Sequence, residues 1–467
     1  MKTPYPEQII ESQDGNQESL TRPELARKNI MQTYYKGVAV LKNALEENRN
    51  ANLTEHGERD EKKPKGTVVV SLWEEDEKLL TTKMFEHSLQ ELLRQAKDSG
   101  LDLDIVIVAN NGGGSTPEIG KEMIGRLIQK VTEDPSIGVL SRVNTLEPSD
   151  PSFDASTPWE VPLDINTINE STTGNRVIFI EQEFDPLNKG KIRAVRDAAY
   201  WLTNQIVNNG YTTDFVFQMD AETILEYKDP KLAKAVPPLK AMFNQLTRKL
   251  GKIAVGTKDR FAVMDPDTGK PLDVPVGSAQ RGFEVTNTED KFISLPGGAL
   301  MSRPENYLAA MVAISRETPS MGVEDYTYTK ILREAAKQND VPFEDVANSM
   351  GVITHLNRTP PGWKQAIAQM ANWRSHAGAA DKIFPGDKYN SEPLLTYIIL
   401  VVQARFADAL KKGPQHLLQL LRDFYAIPHV INLLSENYVP DVFTNDGGVS
   451  WTLNSRNSSD SVTSIAR

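Results

Sequence analysis

The sequence predicts an α/β protein: a central, mostly parallel sheet with helices on both faces, and helical additions at the N- and C-terminal ends. Short apolar runs rich in β-branched residues, Thr67-Val68-Val69-Val70 and Ile105-Val106-Ile107-Val108, have the continuous pattern of strands buried on both faces. Those runs alternate with segments of helical periodicity, as βαβ units do. The length of 467 residues exceeds one ordinary core, while 39% hydrophobic and 25% charged residues is the composition of a folded globular chain.

Residues 1–20 are polar and read as a loosely held start. A helix follows from Thr21-Arg22-Pro23-Glu24, where Thr21 and Glu24 form a capping box and Ile30, Tyr34, Val38, Leu41 and Leu45 make an apolar face. Residues 48–65 are almost wholly polar and read as a linker, so 1–65 forms an N-terminal helical extension. A catalytic domain is expected over 66–375, with strands at 66–72, 104–109, 176–180, 214–220, 253–257 and 292–295. Helices fall between them, one marked by Leu79, Leu80, Met84, Leu89, Leu92 and Leu93 and another over 191–207. The stretch 144–173, rich in Pro, Ser, Thr and Asp, reads as a long surface insertion and mobile flap. Helical periodicity over 391–434 predicts a C-terminal helical subdomain (376–453), followed by a disordered tail (454–467).

Composition removes several classes of function. The chain has no cysteine, which excludes disulfides, thiolate nucleophiles and Cys-ligated zinc; a metal must sit among oxygens, with at most a histidine beside them. A net charge of −11 opposes broad nucleic-acid binding, because phosphate contacts need a basic face. No run approaches the ~18 apolar residues of a membrane span, and the first residues carry no signal-peptide or lipid-anchor pattern. A cytoplasmic protein without a membrane span is expected.

In open α/β sheets ligands sit beyond the carboxyl ends of the strands, so the residues that follow each strand are informative. The first strand runs into Leu72-Trp73-Glu74-Glu75 and the second into Asn110-Asn111-Gly112-Gly113-Gly114. The glycines let backbone approach a ligand, and the Asn amides can both donate to and accept from a base or ribose. Asn188-Lys189-Gly190-Lys191 opens a helix, where free N–H groups beside Lys189 and Lys191 favour an anion. Asp220-Ala221-Glu222 sets two carboxylates at a strand end, the ligand type that Mg²⁺ or Mn²⁺ shares with substrate phosphates. Such an ion offsets the charge gained by a departing diphosphate. Gly297-Gly298 permits close approach of an acceptor, and Glu324-Asp325 stands before a helix expected from Tyr328, with Asp325 chemically suited to be a general base. Each motif alone has a plainer reading: an Asn-Gly turn, a solvated strand end, or acids that start a helix.

Their order along the chain resembles glycosyltransferase family 2 and its GT-A fold over residues 66–374. The resemblance implies that Asp220 and Glu222 bind a divalent metal and the diphosphate of a nucleotide-sugar donor, with Glu in place of the family's last Asp. It implies that Asp325, paired with Glu324, is the base for direct, inverting attack by the hydroxyl of a sugar, lipid-linked or small-molecule acceptor, most simply in a hexosyltransferase. On the same resemblance Leu72, Glu74, Asn110, Asn111, Lys189, Lys191 and Asp220 line the donor, Gly297 and Gly298 line the acceptor, and His355 joins the metal. Gln369-Met370-Ala371-Asn372-Trp373-Arg374 departs from the family's Gln-x-x-Arg-Trp, since Arg374 follows Trp373; both are carried as acceptor residues, and processive polymer synthesis is not supported. A Gly-x-Gly-x-x-Gly loop for dinucleotides and a Gly-Lys-Ser/Thr loop for ATP are both missing from the sequence. The alternatives are a sugar-nucleotide-binding or scaffolding protein without turnover and a retaining GT-A enzyme of the glycosylglycerate synthase type.

Overall fold

The computed structural model describes residues 21–56, 63–72, 84–109, 116–134, 140–146, 175–182, 191–221, 223–227, 230–233, 235–248, 251–263, 295, 298–317, 324–358, 380–385, 412–416, 438–443 and 449–453. The first element is α1 (Arg22–His56). One half of the expected capping box forms: the Thr21 N–H donates to Glu24 Oε2 at 2.8 Å, and the Thr21 hydroxyl donates to the same oxygen at 2.6 Å. The helix continues into the polar stretch expected to be a linker. There Asn48 Nδ2 donates to the carbonyls of Ile206 (2.7 Å) and Tyr211 (3.0 Å), and Arg49 to that of Thr213 (3.3 Å). Polarity at 48–49 thus serves main-chain partners elsewhere in the fold, which periodicity cannot report.

The core elements follow in chain order: β1 (Lys65–Leu72), α2 (Met84–Ser99), β2 (Asp102–Ala109), α3 (Thr116–Glu133), β3 (Leu140–Leu146), β4 (Asn175–Glu181), α4 (Lys191–Asn208), β5 (Phe215–Asp220), β6 (Thr223–Tyr227), α5 (Pro230–Ala233), α6 (Pro238–Thr247), β7 (Ala254–Val263), β8 (Ala299–Ser302), α7 (Pro304–Glu317), α8 (Glu324–Gln338), α9 (Phe343–Val346) and β9 (Ala347–Arg358). Nine strands form one sheet in the order β3-β4-β2-β1-β5-β8-β7-β9-β6. The neighbours from β3 to β5, and β7 with β9, are parallel, while β8 runs antiparallel to β5 and β7 and β6 antiparallel to β9. The protein is therefore of the α/β class with a mixed, mostly parallel sheet.

Helices cover both faces. One layer, built by α1, α4, α7 and α8, buries Ile30, Tyr34, Leu41, Val195, Leu202, Tyr307 and Ile331 against strand residues such as Val69 and Val216. The other, built by α2, α3 and α6, buries Leu89, Leu93, Met123, Leu127 and Met242 against Val70, Phe217 and Met219. The N-terminal extension is thus part of the first core. Gly66 opens β1 where the Phe215 ring crosses it, and a Cβ there would stand 2.0 Å from Phe215 Cζ.

A buried polar network closes the amino edge of the sheet. Asp104 of β2 is fully enclosed and accepts from Arg176 Nε of β4 (2.6 Å) and from the Tyr211 hydroxyl (2.5 Å), with Lys65 Nζ at 2.9 Å. Burial alone would raise the Asp104 pKa; the Arg176 hydrogen bond and the Lys65 and Arg176 charges outweigh it and hold the carboxyl below its usual range.

Several strands escape the sequence reading. β3 is an edge strand with a mixed pattern, β9 lies between β7 and β6 on the far side and pairs most extensively with β7, and β6 is the edge strand there. β8 lies at Ala299–Ser302 and not at 292–295, of which only 295 is among the described residues. Its alanine, methionine and serine have little strand propensity; burial between β5 and β7 makes the strand. Near the C-terminal end β10 (Tyr438–Phe443) and β11 (Val449–Leu453) form an antiparallel hairpin inside the segment expected to be helical. The expected flap falls outside the described residues beyond β3, as do the tail and all of the 391–434 stretch except 412–416.

Candidate active site at the carboxyl edge of the sheet

From β1 the chain crosses to β2, and after β3 and β4 it returns to the other side of β1 as β5. The strand order therefore reverses at β1 and β5, the point at which open α/β sheets hold ligands between crossovers that leave in opposite directions. The register brings the strand ends level there: Ser71 pairs with Asp220, Leu72 with Ala109, and Ala109 with Glu181. The N-termini of α2, α3 and α4 follow β1, β2 and β4 at this edge. Lys191 is the first residue of α4, where free N–H groups favour an anion.

Asp220 ends β5 and is partly exposed. Val216 belongs to the α1/α4/α7/α8 layer, and the two-residue period of a strand directs Gln218 and Asp220 to the same face. The Asp220 N–H donates to the Gly298 carbonyl at 3.1 Å, and the Thr223 hydroxyl to the same carbonyl at 2.6 Å. Gly298, from the expected acceptor pair, thus touches the main chain at the expected donor carboxylate.

Helix α8 brings in the second acidic pair. It starts at Glu324, earlier than the expected Tyr328, because acids are favoured in a first helical turn by the unsatisfied N–H groups. Glu324 is 4% exposed, and its Oε1 accepts from Gln218 Nε2 at 3.1 Å; Gln218 Oε1 accepts in turn from the Tyr307 hydroxyl at 2.5 Å. Asp325 is partly exposed. Its Oδ1 accepts from the Tyr326 N–H (2.8 Å), and its carbonyl accepts from the Thr329 hydroxyl (2.9 Å). Behind this turn Asp381 accepts from the Tyr326 hydroxyl (2.6 Å) and pairs with Lys330 Nζ (2.8 Å). Burial pulls the Lys330 pKa down, and Asp381 opposes that shift.

The structure therefore links Asp220 to Gly298 directly, and links Glu324, followed by Asp325 in α8, to Gln218 two residues before Asp220. The Leu72 side chain is enclosed in the opposite apolar layer, so β1 can offer a ligand its terminal backbone and Ser71. His355 lies in β9 across from Ile224 and Arg260, one position from the Leu356–Thr223 pair. Glu74, Asn110, Asn111, Lys189, Glu222, Gly297, Trp373 and Arg374 lie outside the described residues. Among the described residues no group of three or more Asp, Glu or His side chains forms a ready-made metal site.

Sequence reading passed over Ser71, Gln218, Tyr307 and the Gln182–Asp197 hydrogen bond at the end of β4. Gln218 had a signal: it is the one polar residue within Phe215-Val216-Phe217-Gln218-Met219, and a buried amide needs partners. Gln218→Leu leaves the enclosed Glu324 carboxylate without this donor and is expected to lower stability by about 1–3 kcal/mol. Urea denaturation checks this, and an unchanged midpoint would show that the contact carries no weight.

Fold and site together define an α/β protein with a mixed, mostly parallel sheet and acidic residues at the end of β5 and the start of α8, near the point where its strand order reverses. Compared with known proteins, the sequence matches no family model and no curated protein. Among the described residues, no helix is long and apolar enough to cross a membrane.

Proposed function

We propose that this protein is a metal-dependent glycosyltransferase of the GT-A type, which moves a sugar from a nucleotide-diphosphate donor to an acceptor hydroxyl with inversion. One observation carries the reading: Gln218, two residues before Asp220 on the same face of β5, donates to Glu324 across 106 positions of sequence, which ties the start of α8 and its acidic pair to the strand that ends in Asp220.

The Asp220 main-chain N–H is already satisfied by Gly298, and its partly exposed carboxylate fits one ligand of a divalent ion. With Glu222 two residues on, it would hold Mn²⁺ or Mg²⁺, whose remaining positions suit phosphate oxygens and water. Such an ion offsets charge on the leaving diphosphate. The two acids of α8 divide the remaining work. Glu324, turned inward onto Gln218, fixes the helix start; Asp325, partly exposed, takes the proton of the acceptor hydroxyl as that oxygen attacks the anomeric carbon and the diphosphate departs from the opposite face.

The Asp325–Tyr326 hydrogen bond is also a helix-start contact, and it favours the second reading, a sugar-nucleotide-binding protein without turnover. Thermal-shift measurements with UDP-, GDP- and TDP-sugars and Mn²⁺ test donor binding, since a ligand at ~100 times its dissociation constant stabilises by about 2.7 kcal/mol. Asp325→Asn separates the two readings. For the enzyme it cuts turnover by about 10²-fold or more while donor binding persists. Wild-type binding without any turnover would establish the second, and joint loss of donor affinity in the variant would make Asp325 structural.

A further inference from the structure

We propose that the surface of α5 and α6 around Lys231, Leu232, Val236, Lys240 and Arg248 docks the protein on anionic phospholipid surfaces. In a chain of net charge −11, the sequence 228–252 holds seven Lys and Arg against the single acid Asp229, a net of +6; of those among the described residues, Lys231 and Arg248 are exposed and Lys240 half-exposed, while Lys252 pairs with Asp345 at 3.6 Å. Charge of this density against the sign of the whole chain marks a partner of negative charge.

The same stretch presents apolar tips. Four large hydrophobic side chains are exposed among the described residues, and two of them, Leu232 (53%) and Val236 (37%), stand here four positions apart. The Val236 N–H donates to the Leu232 carbonyl at 3.1 Å, so a helical turn sets both residues together. Lys231 and Ala235 beside them are exposed. Scattered exposed leucines need no explanation, but a paired apolar tip within a basic segment does. Helix α6 buries Leu239, Met242, Phe243 and Leu246 in the core, leaving Lys240, Asn244, Thr247 and Arg248 on its other side.

Bilayer interfaces satisfy both halves of this pattern. Apolar tips enter below the headgroups while lysines meet their phosphates and carboxylates. A nucleic-acid backbone would engage the lysines and leave Leu232 and Val236 in water. The surface also stands close to the end of β5: β6 leads from Thr223, bonded to Gly298, to Tyr227 at the edge of this region, a path of roughly 13 Å.

Co-sedimentation of the full chain with vesicles of phosphatidylcholine alone, or with added phosphatidylserine, tests the proposal. Binding is expected to the anionic vesicles and to weaken as salt is raised. Each basic residue at such a surface contributes about 5-fold in affinity. Lys231→Glu/Lys240→Glu is therefore expected to lose binding by at least ~10-fold, as is Leu232→Glu/Val236→Glu, with unchanged circular dichroism; the milder Leu232→Ser/Val236→Ser replaces the latter if it misfolds. The proposal is overturned by failure to bind anionic vesicles, by equal binding to phosphatidylcholine alone, or by variants that bind as the wild type does. Concentration-dependent self-association abolished by the same charge reversals, in place of vesicle binding, would assign the surface to a second copy and overturn it equally.

Discussion

Asp220→Asn is expected to lower metal-dependent transfer or hydrolysis of a sugar nucleotide by about 10³-fold or more, since a divalent ion at a leaving diphosphate supplies several kcal/mol. The substitution keeps the side-chain shape and the bond from the residue 220 N–H to Gly298, so the strand end should persist. What it removes is the anionic oxygen. Nucleoside-diphosphate release, followed across a Mn²⁺ titration, reads the effect, and a residual rate that recovers at high Mn²⁺ would show weakened metal affinity as the cause. Unchanged turnover would remove Asp220 from the metal site.

Asp104→Ala is expected to cost about 3–5 kcal/mol of stability, because it leaves the buried Arg176 guanidinium, 2% exposed, without its carboxylate. The effect depends on pH in a determined direction. The folded-state pKa of Asp104 lies below its unfolded value, so its contribution is complete above pH about 4 and is lost as pH falls through the folded pKa. Urea midpoints recorded from neutral to acid pH should fall for the wild type below about pH 4 and change less for Asp104→Asn. Parallel pH curves for the two proteins would mean that another carboxylate governs acid unfolding.

The legible parts of the fold were those with dense local signals. β1, β2, β4 and β5 are buried on both faces and announce themselves through valine, isoleucine and, in β5, phenylalanine; the Thr21–Glu24 pair at the start of α1 is a four-residue pattern with a direct geometric meaning. β8 was not legible because its alanine, methionine and serine carry little strand signal and burial between β5 and β7 makes the strand. At the site, Asp220, Glu324 and Asp325 could be nominated from chemistry and order. That Glu324 turns inward while Asp325 stays partly exposed depends on Gln218 and Tyr307, whose meeting arises from the packing of β5, α7 and α8. A buried amide in an apolar strand says only that a partner exists.

The long first helix has a consequence for the birth of the protein on the ribosome. Tyr34 accepts from Asn306, 272 positions away, and the Tyr35 hydroxyl donates to Gln338, 303 positions away. At translation speeds of ~5–20 residues per second, the apolar face of α1 waits roughly 15–50 s before α7 emerges to cover it. During that interval Ile30, Leu41 and Leu45 are natural targets for a holding chaperone, and α1 is completed only by helices made much later along the chain.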